Sequence, residues 1–129
     1  VFLRIEPLPR GSGFEFSTKV VGGTIPRQFI PAVEKGVKQV LDDGAIAGYP
    51  LQDVKVIVYD GKYHPVDSKE VAFVAAGKRA FADAISKAEP IVLEPIAKIE
   101  VTTPSSYVGD ITGHLSGVRG RIAGSVAVA

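Results

Sequence analysis

The chain opens on a strict alternation. Val1, Leu3 and Ile5 alternate with Phe2, Arg4 and Glu6, and the same period returns at Phe14, Phe16, Thr18 and Val20 against Glu15, Ser17 and Lys19. Successive side chains of a strand point to opposite faces, so each run predicts a strand that buries one side. A proline- and glycine-rich connection, residues 7–13, joins them, and the two are expected to pair as antiparallel neighbours with Gly11-Ser12-Gly13 as a plain hairpin turn. Gly22-Gly23 then breaks the second strand. From Ile30 the period lengthens: Ile30, Val33, Val37, Val40 and Leu41 fall on one helical face, with Pro31 suited to the opening turn and Gly44 just beyond the end.

A third alternating run, Val54, Val56 and Val58 against Lys55, Ile57 and Tyr59, predicts another strand, ended by the turn chemistry of Asp60-Gly61. Asp67 with Glu70 three residues later predicts a capped helix start. Val71, Val74, Ala75, Phe81, Ala82 and Ile85 then supply an apolar stripe that fades near Ala88. A smaller unit is expected to follow: a strand over 97–102, a helix over 104–119 burying Tyr107, Val108, Ile111, Leu115 and Val118, Gly120 as its stop, and a strand over 121–128. So short a strand-helix-strand piece buries little surface alone and reads as the opening of a further domain.

Direction counting gives a geometric expectation. Elements of a layered domain run back and forth, so the end of strand two, the start of helix one, the end of strand three and the start of helix two share one pole with the N-terminus. Gly22, Gly23 and Thr24 are therefore expected beside the loop 60–68.

Length and composition narrow the chemistry. The 129 residues suffice for one domain or a small domain plus part of a second. Without cysteine, disulfides and thiolate metal sites are excluded, and two histidines leave little for a metal cluster, so no cofactor is expected within the chain. No run approaches the roughly 20 apolar residues that span a bilayer, and the start has no signal-peptide pattern, so a cytoplasmic monomer without membrane contact is expected. Fifteen basic against fourteen acidic residues give a net charge of +1, so any nucleic-acid contact has to be local. A first residue of Val1 and the absence of methionine suggest a segment of a longer protein.

Enzyme motifs are missing: there is no phosphate loop, dinucleotide turn, zinc-protease helix or nucleophile elbow. The richest stretch is Asp60-Gly61-Lys62-Tyr63-His64-Pro65-Val66-Asp67, which sets a cation, an aromatic ring and an imidazole at consecutive positions ahead of a helix. Such a group offers stacking, hydrogen bonds and charge to irregular or single-stranded RNA. The alternative is a solvated turn in which Tyr63 packs on a neighbour and His64 faces water. His64 has no sequence-evident nucleophile, and Asp60 and Asp67 are assigned to the turn and the helix cap. His114 is expected on the outside of the third helix with no ligand role.

The run Asp60 to Phe73, together with Leu93-Glu94-Pro95-Ile96, Tyr107-Val108-Gly109-Asp110-Ile111, Pro7-Leu8-Pro9-Arg10-Gly11-Ser12-Gly13-Phe14 and Gly22-Gly23-Thr24-Ile25-Pro26, resembles the fourth domain and the start of the fifth domain of bacterial elongation factor G. This resemblance implies an α+β fold. Residues 1–94 would be domain IV, with the fold of ribosomal protein S5 domain 2, lacking its N-terminal tip loop. Residues 95–129 would begin a ferredoxin-like domain V. It also implies an arm that meets the ribosome, with tRNA and mRNA in the decoding region, during translocation, its RNA-binding tip made of Gly61, Lys62, Tyr63, His64, Pro65 and Ser68. GTP and magnesium would belong to a GTPase domain elsewhere in the parent. Where Pro65 stands the family commonly has an acidic residue, and where His114 stands an aspartate. A paralogue acting in ribosome recycling, and a small-molecule enzyme on the same fold, therefore stay open as alternatives.

Overall fold

The computed structural model describes residues 1–127, and in it the alternation at the start of the chain becomes β1 (Phe2–Pro7) and β2 (Phe14–Thr18). The third alternating run becomes β3 (Val54–Asp60). The first two strands are not neighbours: the sheet order is β1-β3-β2, with β3 antiparallel to β1 and parallel to β2. The expected hairpin is thus corrected to a connection that passes the start of β3. The reason lies in β3 itself. Val54, Val56, Ile57 and Val58 are all buried, so this strand is apolar on both faces, as a central strand must be. β1 and β2 have no fully buried residue and take the edges.

Residues 8–13 are held to the root of β3 by four hydrogen bonds. Leu8 N–H donates to Asp53 O at 2.8 Å and Val54 N–H to Gly13 O at 3.1 Å. The amides of Gly11 and Gly13 both donate to Asp53 Oδ1, each at 3.0 Å. Asp53 sits in the left-handed region with φ 58°.

Between β2 and β3 the chain crosses over through a 3₁₀ turn (Arg27–Phe29) and α1 (Ile30–Asp43), with Pro31 in the opening turn. Gly44 ends the helix with φ 77°, a conformation that glycine adopts without steric cost. α1 buries Ala32, Val33, Val37 and Val40 against the sheet.

α2 spans Glu70–Lys87 and ends at Ala88 as expected, but its start differs from the sequence reading. Lys69 occupies the N-cap position and no side chain caps it, so Asp67 is not a cap. The stripe is also displaced: Val71 is 78% exposed and Ala75 is exposed, while Phe73, Gly77, Phe81 and Ile85 are buried at intervals of one helical turn. Gly77 carries no hydrophobic signal, yet it is where the helices touch. A β-carbon there would lie 2.5 Å from the carbonyl oxygen of Val33.

The core has two continuous parts along the sheet. Val37, Val40, Val54, Val56, Phe81 and Ile85 fill one end, and Ile25, Ala32, Val33, Val58 and Phe73 fill the other. The register places Phe2 opposite Asp60 and Thr18 opposite Val58, so the N-terminus, the end of β2 and the end of β3 share one pole.

A second unit begins at Leu93. It holds a 3₁₀ turn (Ser105–Tyr107) and α3 (Val108–Gly117), shorter than the expected helix. Among its described residues there is no strand: 97–102 and 121–127 are irregular, and Val128 lies outside the described residues. A strand is held by hydrogen bonds to a neighbouring strand, and neither segment finds a partner. No residue of α3 is buried; Ile111 and Leu115 are half-buried, while Tyr107, Val108 and Val118 are exposed, as is His114. The helix stops through Arg119 together with the expected Gly120, where a β-carbon would lie 2.7 Å from the Leu115 carbonyl oxygen. Arg119 takes φ 66°, its amide donates to Ser116 O at 3.2 Å, and the Gly120 amide donates to Leu115 O at 2.7 Å. The Arg119 guanidinium bonds both carboxylate oxygens of Glu94 at 2.9 Å. Among the described residues no helix is long and apolar enough to cross a membrane.

Candidate nucleic-acid interface

The loop after β3 starts in a confined place. Asp60 Oδ1 accepts the Gly61 amide at 2.7 Å where the strand ends, and the turn of the loop follows only at residues 65–67, later than the Asp60-Gly61 turn expected from the sequence. Gly61 is buried, and a β-carbon on it would lie 2.5 Å from Cδ1 of Ile25 and 3.6 Å from Cα of Val1. Only glycine fits there without displacing Ile25, which is 2% exposed. This contact ties the loop to the segment following Gly22, Gly23 and Thr24, all three of which are exposed. Ile25 and Val1 therefore meet the root of the loop at one end of the sheet.

Beyond Gly61 the loop turns outward. Lys62, Tyr63, His64, Pro65, Val66 and Asp67 are exposed and Ser68 is half-buried. Two reciprocal bonds close it: the His64 amide donates to Ser68 Oγ at 2.8 Å, and the Ser68 amide donates to His64 O at 2.9 Å. Asp67 turns back toward His64, with its Oδ2 3.4 Å from Nδ1, and both side chains are open to solvent at 68% and 82% exposure. In water such a pair is weak and exists as an ion pair only when the imidazole is protonated. Lys62 is in no ion pair among the described residues.

Tyr63 is both exposed and supported. Its ring stacks on Phe29 at 5.9 Å between centroids, and Phe29 in turn stacks on the buried Phe73 at 4.7 Å. The sequence reading left two choices, a contact-ready ring or one packed on a neighbour, and Tyr63 is packed on a neighbour while keeping 41% of its surface in solvent. Phe29 and Ile25 were missed as positioning residues. Phe29 had a local signal, an aromatic immediately before the amphipathic period of α1, but nothing in the sequence says which loop it meets.

The arrangement offers a cation, a planar ring and an imidazole on one exposed turn backed by a packed core. That chemistry suits stacking and hydrogen bonding to RNA. Among the described residues no three His, Cys, Asp or Glu side chains are grouped as a metal site would require. At the opposite end of β3, the Gly13 amide, with that of Gly11, holds the Asp53 carboxyl below its ordinary value.

A family model and a curated relative point to the same family. Residues 1–89 match the family model described as elongation factor G, domain IV. A protein named elongation factor G from Aquifex pyrophilus is 56% identical over 122 residues, which is 95% of this chain and 18% of that protein. A crystal structure of a protein from Thermus thermophilus superposes with a TM-score of 0.77 at 38% identity, covering 98% of this chain and 19% of the other. The chain thus spans less than a fifth of the length of these relatives.

Proposed function

Because the chain belongs to the elongation factor G family, matching its domain IV over residues 1–89, we propose that it is the arm of a ribosomal translocation factor. Its tip, Gly61, Lys62, Tyr63, His64, Pro65 and Ser68 with Gly22, Gly23 and Thr24 alongside, meets tRNA and mRNA in the decoding region. In this reading residues 1–94 are the arm and 95–129 open the following ferredoxin-like domain. GTP and magnesium are handled by a GTPase domain elsewhere in the parent protein, which acts in the cytoplasm. The arm works by contact and breaks no bonds.

One observation carries the proposal. Lys62, Tyr63 and His64 are exposed on a turn whose root, Gly61, is locked against Ile25 and whose ring is stacked on Phe29. A turn braced in this way can push against an RNA ligand without yielding, which a floppy loop of the same composition cannot.

The test is Lys62→Ala combined with His64→Ala in the full-length factor. Translocation is expected to slow while GTP hydrolysis stays nearly unchanged. Equal loss of both activities, or loss of neither, counts against the arm reading.

A further inference from the structure

Three aromatic rings from three separate segments form a column running from the tip into the core. Phe73, in the first turn of α2, is 3% exposed. Phe29, at the end of the 3₁₀ turn that leads into α1, lies over it at 4.7 Å with an interplanar angle of 17°. Tyr63, in the exposed loop, lies over Phe29 at 5.9 Å and 30°.

The remaining ties of the loop do not set its direction. Gly61 anchors only its root, and the two His64–Ser68 hydrogen bonds are internal, closing the turn on itself. The middle of the loop, Lys62 to Asp67, has no other hydrogen bond to the rest of the domain among the described residues. The Tyr63 ring on Phe29 is its one aromatic contact there, and Phe29 is fixed from below by a residue of the core.

We infer that Phe29 is the positioning residue of the tip: wedged between Phe73 and Tyr63, its ring aims the loop 61–68 and the planar surface of Tyr63. Phe29 is itself half-buried and acts through Tyr63. The inference rests on the tip reading given above for its functional consequence, but not for its geometry. It assigns a role in presenting the tip to a residue that lies more than thirty positions upstream in sequence. The ligand chemistry that such a supported ring favours is a nucleobase face, which stacks on a neutral aromatic plane whatever its sequence.

Phe29→Leu tests it by keeping an apolar side chain over Phe73 while removing the ring. In NMR spectra of the whole 129-residue chain, the Tyr63 ring protons are expected to lose their ring-current shift and backbone order across 62–67 to fall. Resonances of Val56 and Phe81 in the other part of the core stay in place, and Phe29→Tyr recovers the loop. Unchanged Tyr63 shifts and loop order in Phe29→Leu overturn the inference. Should Phe29→Leu loosen the whole domain, Tyr63→Leu reads the same contact from the loop side without touching the core. It must lower the order of 62–67 and move the Phe29 ring signals, and failure to do so is equally fatal.

In the full-length factor, Phe29→Leu and Tyr63→Leu are each expected to slow translocation several-fold, and the double variant to be no slower than Tyr63→Leu alone, since Phe29 acts only through the Tyr63 ring. Effects that multiply overturn the inference. The arm reading fails differently: Lys62→Ala with His64→Ala leaves translocation unchanged, while the NMR shifts still report whether Phe29 aims the loop.

Discussion

A β-carbon on Gly36 of α1 would overlap the carbonyl oxygen of Val74 on α2. With Gly77 set against Val33 in the same crossing, the two helices approach backbone to backbone, and each glycine is there for space rather than flexibility. Such contact joins α1 and α2 into one layer behind the sheet, and the tip loop leads from β3 into that layer.

Gly36→Ala tests this approach directly. Helix propensity alone would make the variant more stable by about 1 kcal/mol. Overpacking at the crossing reverses the sign, and the expected result is a loss of about 2 kcal/mol in urea unfolding. A stabilised variant would show that the helices stand further apart.

Phe81 and Val71 test the face of α2. Phe81 is fully buried and Val71 is 78% exposed, although both belong to the stripe read from the sequence. Phe81→Ala is expected to cost about 3–5 kcal/mol. Val71→Ala should stay within about 0.5 kcal/mol of the parent chain. Comparable losses at the two sites would mean that α2 is rotated from the position described.

Asp53 makes one part of the fold acid-sensitive. The amides of Gly13 and Gly11 hold its carboxyl below the ordinary value of 3.8, so the folded state prefers the anion. A carboxyl depressed on folding contributes fully above 3.8 and loses that contribution as the pH falls through its lower folded value. Asp53→Asn is expected to be less stable at neutral pH, and its thermal midpoint should converge with that of the parent chain as the pH is lowered to about 2. Curves that run parallel throughout would refute the clamp.

Ser68 closes the tip. Its Oγ accepts the His64 amide, and Ser68→Ala leaves that donor to solvent at a local cost of about 1 kcal/mol. Hydrogen exchange at the His64 amide is expected to quicken roughly fivefold, with the amide of Val56 unaffected. An unchanged His64 rate would show that the bond contributes nothing to the order of the loop.

Much of the first unit is legible in the sequence. The run Ile30 to Leu41 with Pro31 and Gly44 marks α1 almost to the residue, and back-and-forth counting puts the N-terminus, the end of β2 and the end of β3 at one pole. The pairing of β1 with β2 was misread because alternation reports that a strand has an inside face, not which strand lies beside it. The unbroken apolar run Val56-Ile57-Val58 held the correction, since only a central strand buries both faces. In the second unit strands were expected over 97–102 and 121–128, and the described residues form none, because a short segment cannot supply its own pairing partner.

The candidate site divides along the same line. Lys62, Tyr63 and His64 stood out by residue type, but the capping role assigned to Asp67 failed, since its carboxylate turns to His64 instead. Phe29 and Asp53 were invisible as partners of Tyr63 and Gly13.

By itself, then, the order of residues determined what is local: helix and strand periods, the glycine that stops α1, the end of β3 at Asp60 and a following loop rich in contact chemistry, although the turn expected at Asp60-Gly61 lies instead at residues 65–67. These depend on neighbours a few positions away, so they survive being read in one dimension. Tertiary structure alone decided that β3 separates β1 from β2, that Gly36 and Gly77 let two helices touch, and that Phe29 carries Tyr63. Each of these joins residues distant along the chain, and their meeting depends on the path of everything between them.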